Sequence, residues 1–243
     1  GTKMFTDDEI DNLTKNVITQ DATQDLIDML IILKNNGIDV RGIPNNNKQL
    51  EDYLKDENKK RKKRGAQIGM IFQYAGASLC PIRTIGEQIY ESMCAHTKIT
   101  RSEAKTRAMD LFDKLNFKDS QRVWDSYPFE LSGGMNQRAG IAIAMLMNPP
   151  ILFADEPTSA LDVSVQRQVV REMLKLRELF GTAIVIVTHD IGVVRAMADT
   201  VLVLKNGKTV EYGTADRVLD HPQDPYTRKL LEAVPKLQRK VRV

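Results

Sequence analysis

The sequence predicts an α/β fold in which helices cover both faces of a parallel sheet. Three strongly apolar segments of strand length predict it: QIGMIFQ (67–73), PILFADEP (150–157) and TAIVIVTHD (182–190). Segments with helical periodicity separate them, and strands that are apolar on both faces are typical of parallel sheets buried between helices. With 243 residues, 42% of them hydrophobic, the chain is long enough to bury such a core.

The first part of the sequence predicts helices, one short strand and a charged stretch. Thr6 and Glu9 have the spacing of a capping box, so we expect residues 1–36 to be mostly helical. Residues 37–44 are short, β-branched and bounded by glycines, which indicates a strand. The basic run at 59–64 follows several acidic residues and lacks aromatic residues, which favours a solvated helix end or loop over a nucleic-acid or lipid patch.

The rest of the sequence alternates helices with the apolar strands. Helical patterns are predicted for two helices within 85–116, then for segments after residue 134, at 164–179 and at 191–199. TVLVLKNGKTVEYG (200–213) predicts a hairpin, because Asn206-Gly207 is a favoured two-residue turn. This order is the one expected of a parallel sheet with crossover helices.

Composition excludes several classes of protein. No run of eighteen uncharged apolar residues occurs, and the acidic start of the sequence lacks the apolar core of a secretory signal. Two cysteines are too few for a disulfide framework or a zinc module and favour a reducing compartment. A net charge of +3 is too small to indicate nucleic acid as a partner.

Two acidic residues directly follow an apolar strand. Asp155 and Glu156 come at the carboxyl end of strand 151–154, and ligands of open α/β sheets bind at that edge. One carboxylate can hold Mg²⁺ and the next can polarise a water, as phosphoryl transfer requires. Taken alone, an ordinary polar turn explains the pair about equally well.

A histidine and a glycine pair add to this pattern. His189 leaves the strand at 183–188 and is expected at the same edge, although on its own such a histidine is more often an ordinary turn residue. Ser132-Gly133-Gly134 stands directly before a helix, where free N–H groups and the positive end of the helix dipole attract anions. Together the three features indicate a phosphate-binding site.

The motifs resemble those of the ATP-binding subunits of ABC transporters. LSGGMNQ (131–137) resembles the signature motif, ILFADEPTSALD (151–162) the Walker B strand and D-loop, and IVTHD (186–190) the switch segment. The resemblance extends over about residues 65–235. YPFELSGG (127–134) and HPQDPYTRKLLEAVP (221–235) are similar to the oligopeptide, dipeptide and nickel importer branch.

The resemblance implies a P-loop NTPase-like (ABC ATPase) fold with a parallel sheet core and a helical subdomain. It divides the chain into a helical, divergent or inserted N-terminal segment, a RecA-like ATPase core, a helical (signature) subdomain, and a C-terminal docking helix and tail. In that order, these parts are residues 1–36, residues 37–79 with 146–215, residues 80–145, and residues 216–243.

The resemblance also implies the roles of individual residues. Catalysis would use Glu156 to orient the attacking water, His189 to contact the γ-phosphate, and Gln73 to contact that water and Mg²⁺. Asp155 would hold Mg²⁺ together with Gln73. ATP held by a facing subunit would be contacted by the signature and D-loop residues, namely Ser132, Gly133, Gly134, Gln137 and Asp162.

The implied partners are transmembrane permease subunits, a second ABC ATPase subunit and, indirectly, a substrate-binding protein. No nucleic acid is expected as a partner. The resemblance places such a subunit at the cytoplasmic face of the cell membrane, as a peripheral protein. The implied function is ATP-driven import of oligopeptides, dipeptides or nickel.

The phosphate-binding P-loop of this family is missing from the sequence. No segment matches G-x-x-x-x-G-K-[ST]; Gly37 and Gly42 have the glycine spacing, but Ile43-Pro44 follows them. We therefore expect the core strand before the P-loop helix to be absent, with residues 2–6 as the end of that helix. A fragment, a degenerate gene product and a substitute module at 1–36 are the alternatives, of which we favour the fragment because the other catalytic residues are intact.

Two functions remain open at this stage. The first is an energy-coupling ATPase in the complete protein, with weak or no ATP binding by this chain alone. The second is a fragment or degenerate ABC domain that binds partners without turning over ATP by itself. An ABC ATPase that acts on DNA or ribosomes is disfavoured, since the sequence has neither a coiled-coil insertion nor a second ATPase domain.

Overall fold

A four-stranded parallel sheet forms the centre of the protein. The computed structural model describes residues 3–5, 68–74, 78–206 and 208–234. The strands are β1 (Lys3–Phe5), β2 (Ile68–Ile71), β3 (Ile151–Asp155) and β4 (Ala183–Val187), in the order β1-β4-β3-β2. All neighbours are parallel, so the predicted α/β class is confirmed.

The register of the strands brings their carboxyl ends to one edge. Asp155 is paired with Val187, as is Phe5, and Ile71 is paired with Ala154. Residues 151–154 at the centre of the sheet are buried, as their continuous apolar pattern predicts. The segments that follow β2, β3 and β4 therefore leave the sheet on the same side.

Strand β1 corrects one expectation from the sequence. Residues 2–6 were expected to end a helix within a helical segment 1–36, but Lys3–Phe5 pair in parallel with β4 instead. A segment this short has little conformational preference of its own, and pairing with the neighbouring strand decides its structure. The other expectations for 1–36, the strand at 37–44 and the charged run at 59–64 lie outside the described residues.

The described part of the chain between β2 and β3 includes four helices and a short 3₁₀ turn. They are α1 (Ile85–Cys94), α2 (Arg101–Lys114), α3 (Ser120–Asp125), the 3₁₀ turn Pro128–Glu130 and α4 (Gly133–Met145). Thr84 and Thr100 each start a helix with a complete capping box, which explains where α1 and α2 begin. The two helices predicted within 85–116 are thus confirmed.

The other described elements after β3 are helices and one antiparallel hairpin. They are α5 (Val163–Phe180), α6 (Ile191–Met197), the antiparallel hairpin of β5 (Thr200–Lys205) and β6 (Lys208–Thr214), α7 (Ala215–Asp220) and α8 (Pro225–Glu232). Helix α5 ends at Gly181, whose φ of 64° suits a glycine cap. None of the described helices is both long and apolar enough to cross a membrane.

One apolar core joins the helices to the sheet. It includes Phe112 and Met145 from the helical segment and Leu152 and Ile186 from the strands, all fully buried. The central sheet is therefore held between packed helices, and its polar carboxyl edge is the place where functional groups emerge.

Candidate functional site

Glu156 is held in a strained backbone conformation just after β3. Its φ is 40°, in the left-handed region that residues other than glycine rarely adopt. Its N–H donates to the carbonyl oxygen of Val187 at 2.9 Å, and its own carbonyl oxygen accepts from the N–H and hydroxyl of Ser159, each at 3.0 Å. Such a conformation costs about 1–3 kcal/mol and persists where the surroundings fix it, commonly at functional sites.

The carboxylate of Glu156 is buried and bound by the segment that follows β4. It is 6% exposed, and its Oε1 accepts from the backbone N–H of His189 at 2.9 Å. The same oxygen lies 2.6 Å from His189 Nδ1, while Oε2 accepts from the Thr188 hydroxyl at 3.3 Å. The contact between Glu156 Oε1 and Nδ1 therefore fixes the orientation of the imidazole ring.

His189 is the exposed member of this pair. Its side chain is 62% exposed, whereas that of Glu156 is 7% exposed. Glu156 and His189 follow the ends of β3 and β4 and are 33 residues apart in sequence. They thus form one acid–histidine pair at the sheet edge. This is the juxtaposition that the sequence predicted for Glu156 and His189.

Asp155 is the last residue of β3 and lies beside this pair. Burial, with a smaller contribution from the negative charge of Glu156, raises the pKa of Asp155 to about 6. A carboxyl group in this position is one that a bound cation would hold in its ionised form. Gln73 lies two residues beyond the end of β2 in an exposed turn on the same side of the sheet.

The chemistry of these donors fits Mg²⁺. The cation prefers oxygen ligands and commonly takes one or two carboxylates together with waters and substrate phosphates. Asp155 supplies a carboxylate, and Gln73 can supply an amide oxygen. Within the described ranges no cluster of three or more His, Cys, Asp or Glu residues could hold a metal ion.

Ser132 and Gly133 form an exposed helix start. Ser132 is the N-cap of α4, and its hydroxyl oxygen accepts from the N–H of Met135 at 3.3 Å. A Cβ added to Gly133 would meet nothing within 4 Å, so a ligand can approach the backbone there. Gln137, one turn further, is 5% exposed and belongs to the buried side of the helix, so its predicted nucleotide contact stays a prediction.

Asp162 begins α5 in a similar way. Its Oδ1 accepts from the N–H groups of Ser164 and Val165 at 2.9 and 3.0 Å. The hydrogen bond from the Ser164 hydroxyl, followed by those from the backbone, keeps the pKa of Asp162 below its usual range. A Cβ on Gly134 would lie 2.5 Å from Val165 Cγ1, so the starts of α4 and α5 are in close contact.

Six of the nine predicted site residues therefore fall into two groups, and the other three are Gln73 in its exposed turn, Gly134 against Val165, and the buried Gln137. The first is the sheet-edge group of Asp155, Glu156 and His189, which the strand ends bring together. The second is the exposed group of Ser132, Gly133 and Asp162 at the starts of α4 and α5.

Two polar contacts at the sheet edge were not predicted. Thr188 is fully buried; its hydroxyl donates to Glu156 and accepts from the N–H of Asp190 at 3.0 Å. Asp190 caps α6 and also accepts a hydrogen bond from the Gln166 side chain of α5. Thr188 and Asp190 both lie within the motif 186–190. The hydroxyl of Thr188, directly beside His189, was the feature of the sequence that could have predicted this contact.

Two family models match parts of this chain. Residues 26–159 match the family described as ABC transporter. Residues 210–242 match the family described as the oligopeptide/dipeptide transporter C-terminal region. The first match covers more than half of the chain.

Curated relatives cover much of this chain. The glutathione import ATP-binding protein GsiA of Escherichia coli (strain K12) is 45% identical over 174 residues, which are 72% of this chain and 28% of the relative. The oligopeptide transport ATP-binding protein AppD of Bacillus subtilis (strain 168) is 45% identical over 179 residues, 74% of this chain and 55% of the relative. A putative peptide import ATP-binding protein of Brucella melitensis, BMEII0863, is 45% identical over 182 residues, 75% of this chain and 54% of the relative. The chain thus spans about half or less of the length of these relatives.

Solved structures share the fold. The dimeric ATP-binding cassette MJ0796, in a post-hydrolysis state bound to ADP and Pi, has a TM-score of 0.62 and 26% sequence identity. The match covers 88% of this chain and 84% of the cassette. A second dimeric structure of MJ0796, described as a bacterial ABC transporter cassette, gives the same values.

Proposed function

The chain belongs to the ABC transporter family, and on this premise we propose that it is the ATP-hydrolysing, energy-coupling subunit of an importer for oligopeptides, dipeptides or nickel. The names of the relatives support the peptide classes, since they include glutathione, peptide and oligopeptide import proteins. The nickel alternative rests on the resemblance of the sequence motifs alone.

The observation that carries this proposal is the buried Glu156 carboxylate bonded to His189. The contacts with Thr188 and His189 hold the Glu156 carboxylate in a fixed position, in which it would orient an attacking water and accept its proton. His189, oriented through Nδ1, turns its exposed edge toward the space outside the sheet, where the terminal phosphate of ATP would lie. Phosphoryl transfer depends mainly on such positioning of fixed polar groups.

Mg²⁺ is the cofactor that the donor set fits. Asp155 and Gln73 would hold it, and when bound the ion would neutralise charge on the phosphates. Asp155 would then remain ionised at neutral pH, despite the burial that raises its pKa to about 6. The roles of Asp155 and Gln73 in this chain are thus to bind and to orient.

The exposed group points to a second ATPase subunit. The N–H groups at the start of α4 and the Ser132 hydroxyl are suited to an anion and are exposed, whereas the Glu156 carboxylate is buried. We place Ser132, Gly133, Gly134, Gln137 and Asp162 against ATP held by a facing subunit. The likeness to dimeric cassettes supports this arrangement.

The helical segment between β2 and β3 is the proposed contact with the permease. A groove of about 600 Å³ runs between the β2 edge and this segment, with Gly69 and Phe72 on one side and Leu79, Gln88 and Ile143 on the other. A permease bound here would keep the subunit at the cytoplasmic face of the membrane. The substrate-binding protein would then act through the permease.

A second candidate is a domain that binds partners but does not turn over ATP by itself. It is favoured by one observation, the lack of a G-x-x-x-x-G-K-[ST] segment in the sequence. It keeps the same partner surfaces and differs only in hydrolysis. Turnover by the assembled wild-type transporter would decide between the two.

The test is Glu156→Gln in the assembled transporter. We expect ATP hydrolysis to fall by at least about 10²-fold, because the amide cannot accept the proton, while ATP binding is retained. Glu178→Gln, an exposed change on α5, is the matched control and should leave hydrolysis unchanged. Substantial turnover by Glu156→Gln would refute the assigned role, and no turnover by the wild-type assembly would favour the second candidate.

A further inference from the structure

A buried ion pair joins the signature helix α4 to α5. Arg138 Nε donates to Glu172 Oε2 at 2.9 Å, and Arg138 Nη2 lies 2.7 Å from Glu172 Oε1. The two residues are 8% and 3% exposed. The pair therefore has the two-pronged geometry that fixes both distance and direction between its helices.

Arg138 also contacts the end of α2. Its Nη2 donates to the carbonyl oxygen of Leu115 at 2.5 Å, and its guanidinium lies 4.1 Å from the centre of the Phe117 ring. On the other side, Gln168 Nε2 donates to Glu172 Oε1 at 3.0 Å. One arginine thus connects α2, α4 and α5.

The starts of α4 and α5 touch at a second point. A Cβ on Gly134 would lie 2.5 Å from Val165 Cγ1, so these helices approach closely there. Gly134 and Arg138 are four residues apart and share a face of α4, while Val165 and Glu172 are seven apart and share a face of α5. Two contacts along one line fix the relative orientation of the helices.

The energetics favour a positional role over a stabilising one. Burying an ion pair removes both charges from water, and apolar residues of similar size in such places are often equally stabilising or more so. An arginine fork, in contrast, specifies geometry that lysine or apolar side chains do not. The pair is therefore better explained by what it positions.

We propose that Arg138 is a positioning residue that, through Glu172, holds Ser132 and Asp162 in a fixed relation for their approach to the facing subunit. Ser132 begins α4 and Asp162 begins α5, so both helix starts are set by the same two contacts. This inference rests on the proposed function, in which both residues act across the subunit interface.

The test compares three variants of the assembled transporter. Arg138→Lys keeps the charge and removes the fork. Arg138→Met combined with Glu172→Leu removes the pair without leaving a buried charge, so the protein is expected to fold. Arg195→Gln with Asp220→Asn removes an exposed pair with a 2.9 Å contact between α6 and α7 and is the control.

Two readouts separate positioning from stability. The first is kcat and KM for ATP, measured well below each variant's melting temperature. The second is the distance distribution between spin labels on Gly133→Cys and Val163→Cys, with Cys80→Ser and Cys94→Ser to remove the other thiols. The labelled sites are exposed, and this readout does not require turnover.

We expect the Met/Leu variant to lower kcat by about 10- to 100-fold with little change in KM and to broaden the label distances, since misplacement by about 1 Å can have such effects. Arg138→Lys should give a smaller change of the same kind, and the control none. Wild-type kcat or wild-type distances in the Met/Leu variant would overturn the inference. A wild-type assembly without hydrolysis would refute the proposed function instead, while the label distances would still decide this one.

Discussion

The sheet edge around Glu156 and the signature loop, defined here as residues 132–134 at the start of α4, both carry polar groups but differ in how those groups are held. At the edge, Glu156 is 6% exposed and finds its hydrogen-bond partners within the chain, in Thr188 and His189. At the loop, Ser132 and Gly133 are exposed at an open helix start. The carboxylate at the edge is thus bonded within one chain, whereas the loop lies exposed at the start of its helix.

This difference separates the effects of substitutions. A change at the edge alters a network that already exists in the single chain. Under the proposed function, a change at the loop alters its contact with the facing subunit in the assembly, apart from its small contribution to the cap of α4. Measurements on the isolated chain and on the assembly should therefore respond differently to the two regions.

The largest expected effect at the loop is that of Ser132→Ala. We expect kcat of the assembled transporter to fall by about 10- to 100-fold, because one donor to the facing phosphate is lost. In a Glu156→Gln background, the same change should reduce the fraction of ATP-dependent dimers seen by size-exclusion chromatography. ATP affinity of the isolated chain should not change.

Thr100→Ala is the control for the helix cap. Thr100 caps α2 with the same hydrogen bond to the third residue, so both changes cost about 1 kcal/mol of helix stability. Equal losses of kcat in the two variants would show that Ser132 acts only as a cap and would contradict its contact with the facing subunit.

The sequence predicted the sheet because its central strands have an unambiguous pattern. Segments 151–154 and 183–187 are apolar throughout, and the residues that follow them carry the polar groups of the site. Strand β1 was not predicted, since the three residues Lys3–Phe5 carry no periodic pattern and owe their structure to pairing with β4. Local patterns specify the elements, while pairing partners come from the whole fold.

The same limit applies to the site. Asp155, Glu156 and His189 could be placed at one edge from strand ends alone, whereas the direct bond between Glu156 and His189 was not predicted. Arg138 directly follows the signature motif at 131–137, but its partner Glu172 is 34 residues away and their contact follows only from the packing of α4 on α5. Contacts between helices cannot be deduced from one sequence.

Substitutions of Gly133 and Gly134 at the start of α4 should have smaller effects than Ser132→Ala, and these effects concern stability. Gly134→Ala should lower the free energy of unfolding by about 1–2 kcal/mol, because its Cβ would lie 2.5 Å from Val165 Cγ1 in a side chain with restricted rotamers. Gly133→Ala meets nothing within 4 Å and should be neutral or slightly stabilising, since alanine favours the helix. Urea unfolding of the full chain measures both, and equal effects would contradict the close contact between α4 and α5.

The smallest expected effect is a pH dependence of opposite sign in the two regions. Since folding raises the pKa of Asp155 from 3.8 to about 6, its stabilising effect is complete below pH 3.8 and is lost as the pH rises through 6. In EDTA at pH 7, Asp155→Asn should therefore raise the free energy of unfolding by about 1–2 kcal/mol after allowance for solvent screening, with no gain below pH 4.

Asp162 has a lowered pKa, so Asp162→Asn should instead reduce stability at pH 7, and the reduction should shrink as the pH falls through the pKa of the folded state. Urea unfolding at pH 3 and pH 7 measures both variants, and a less stable Asp155→Asn protein at pH 7 would show that the carboxylate at the sheet edge is stabilised where it lies and has no need of a cation.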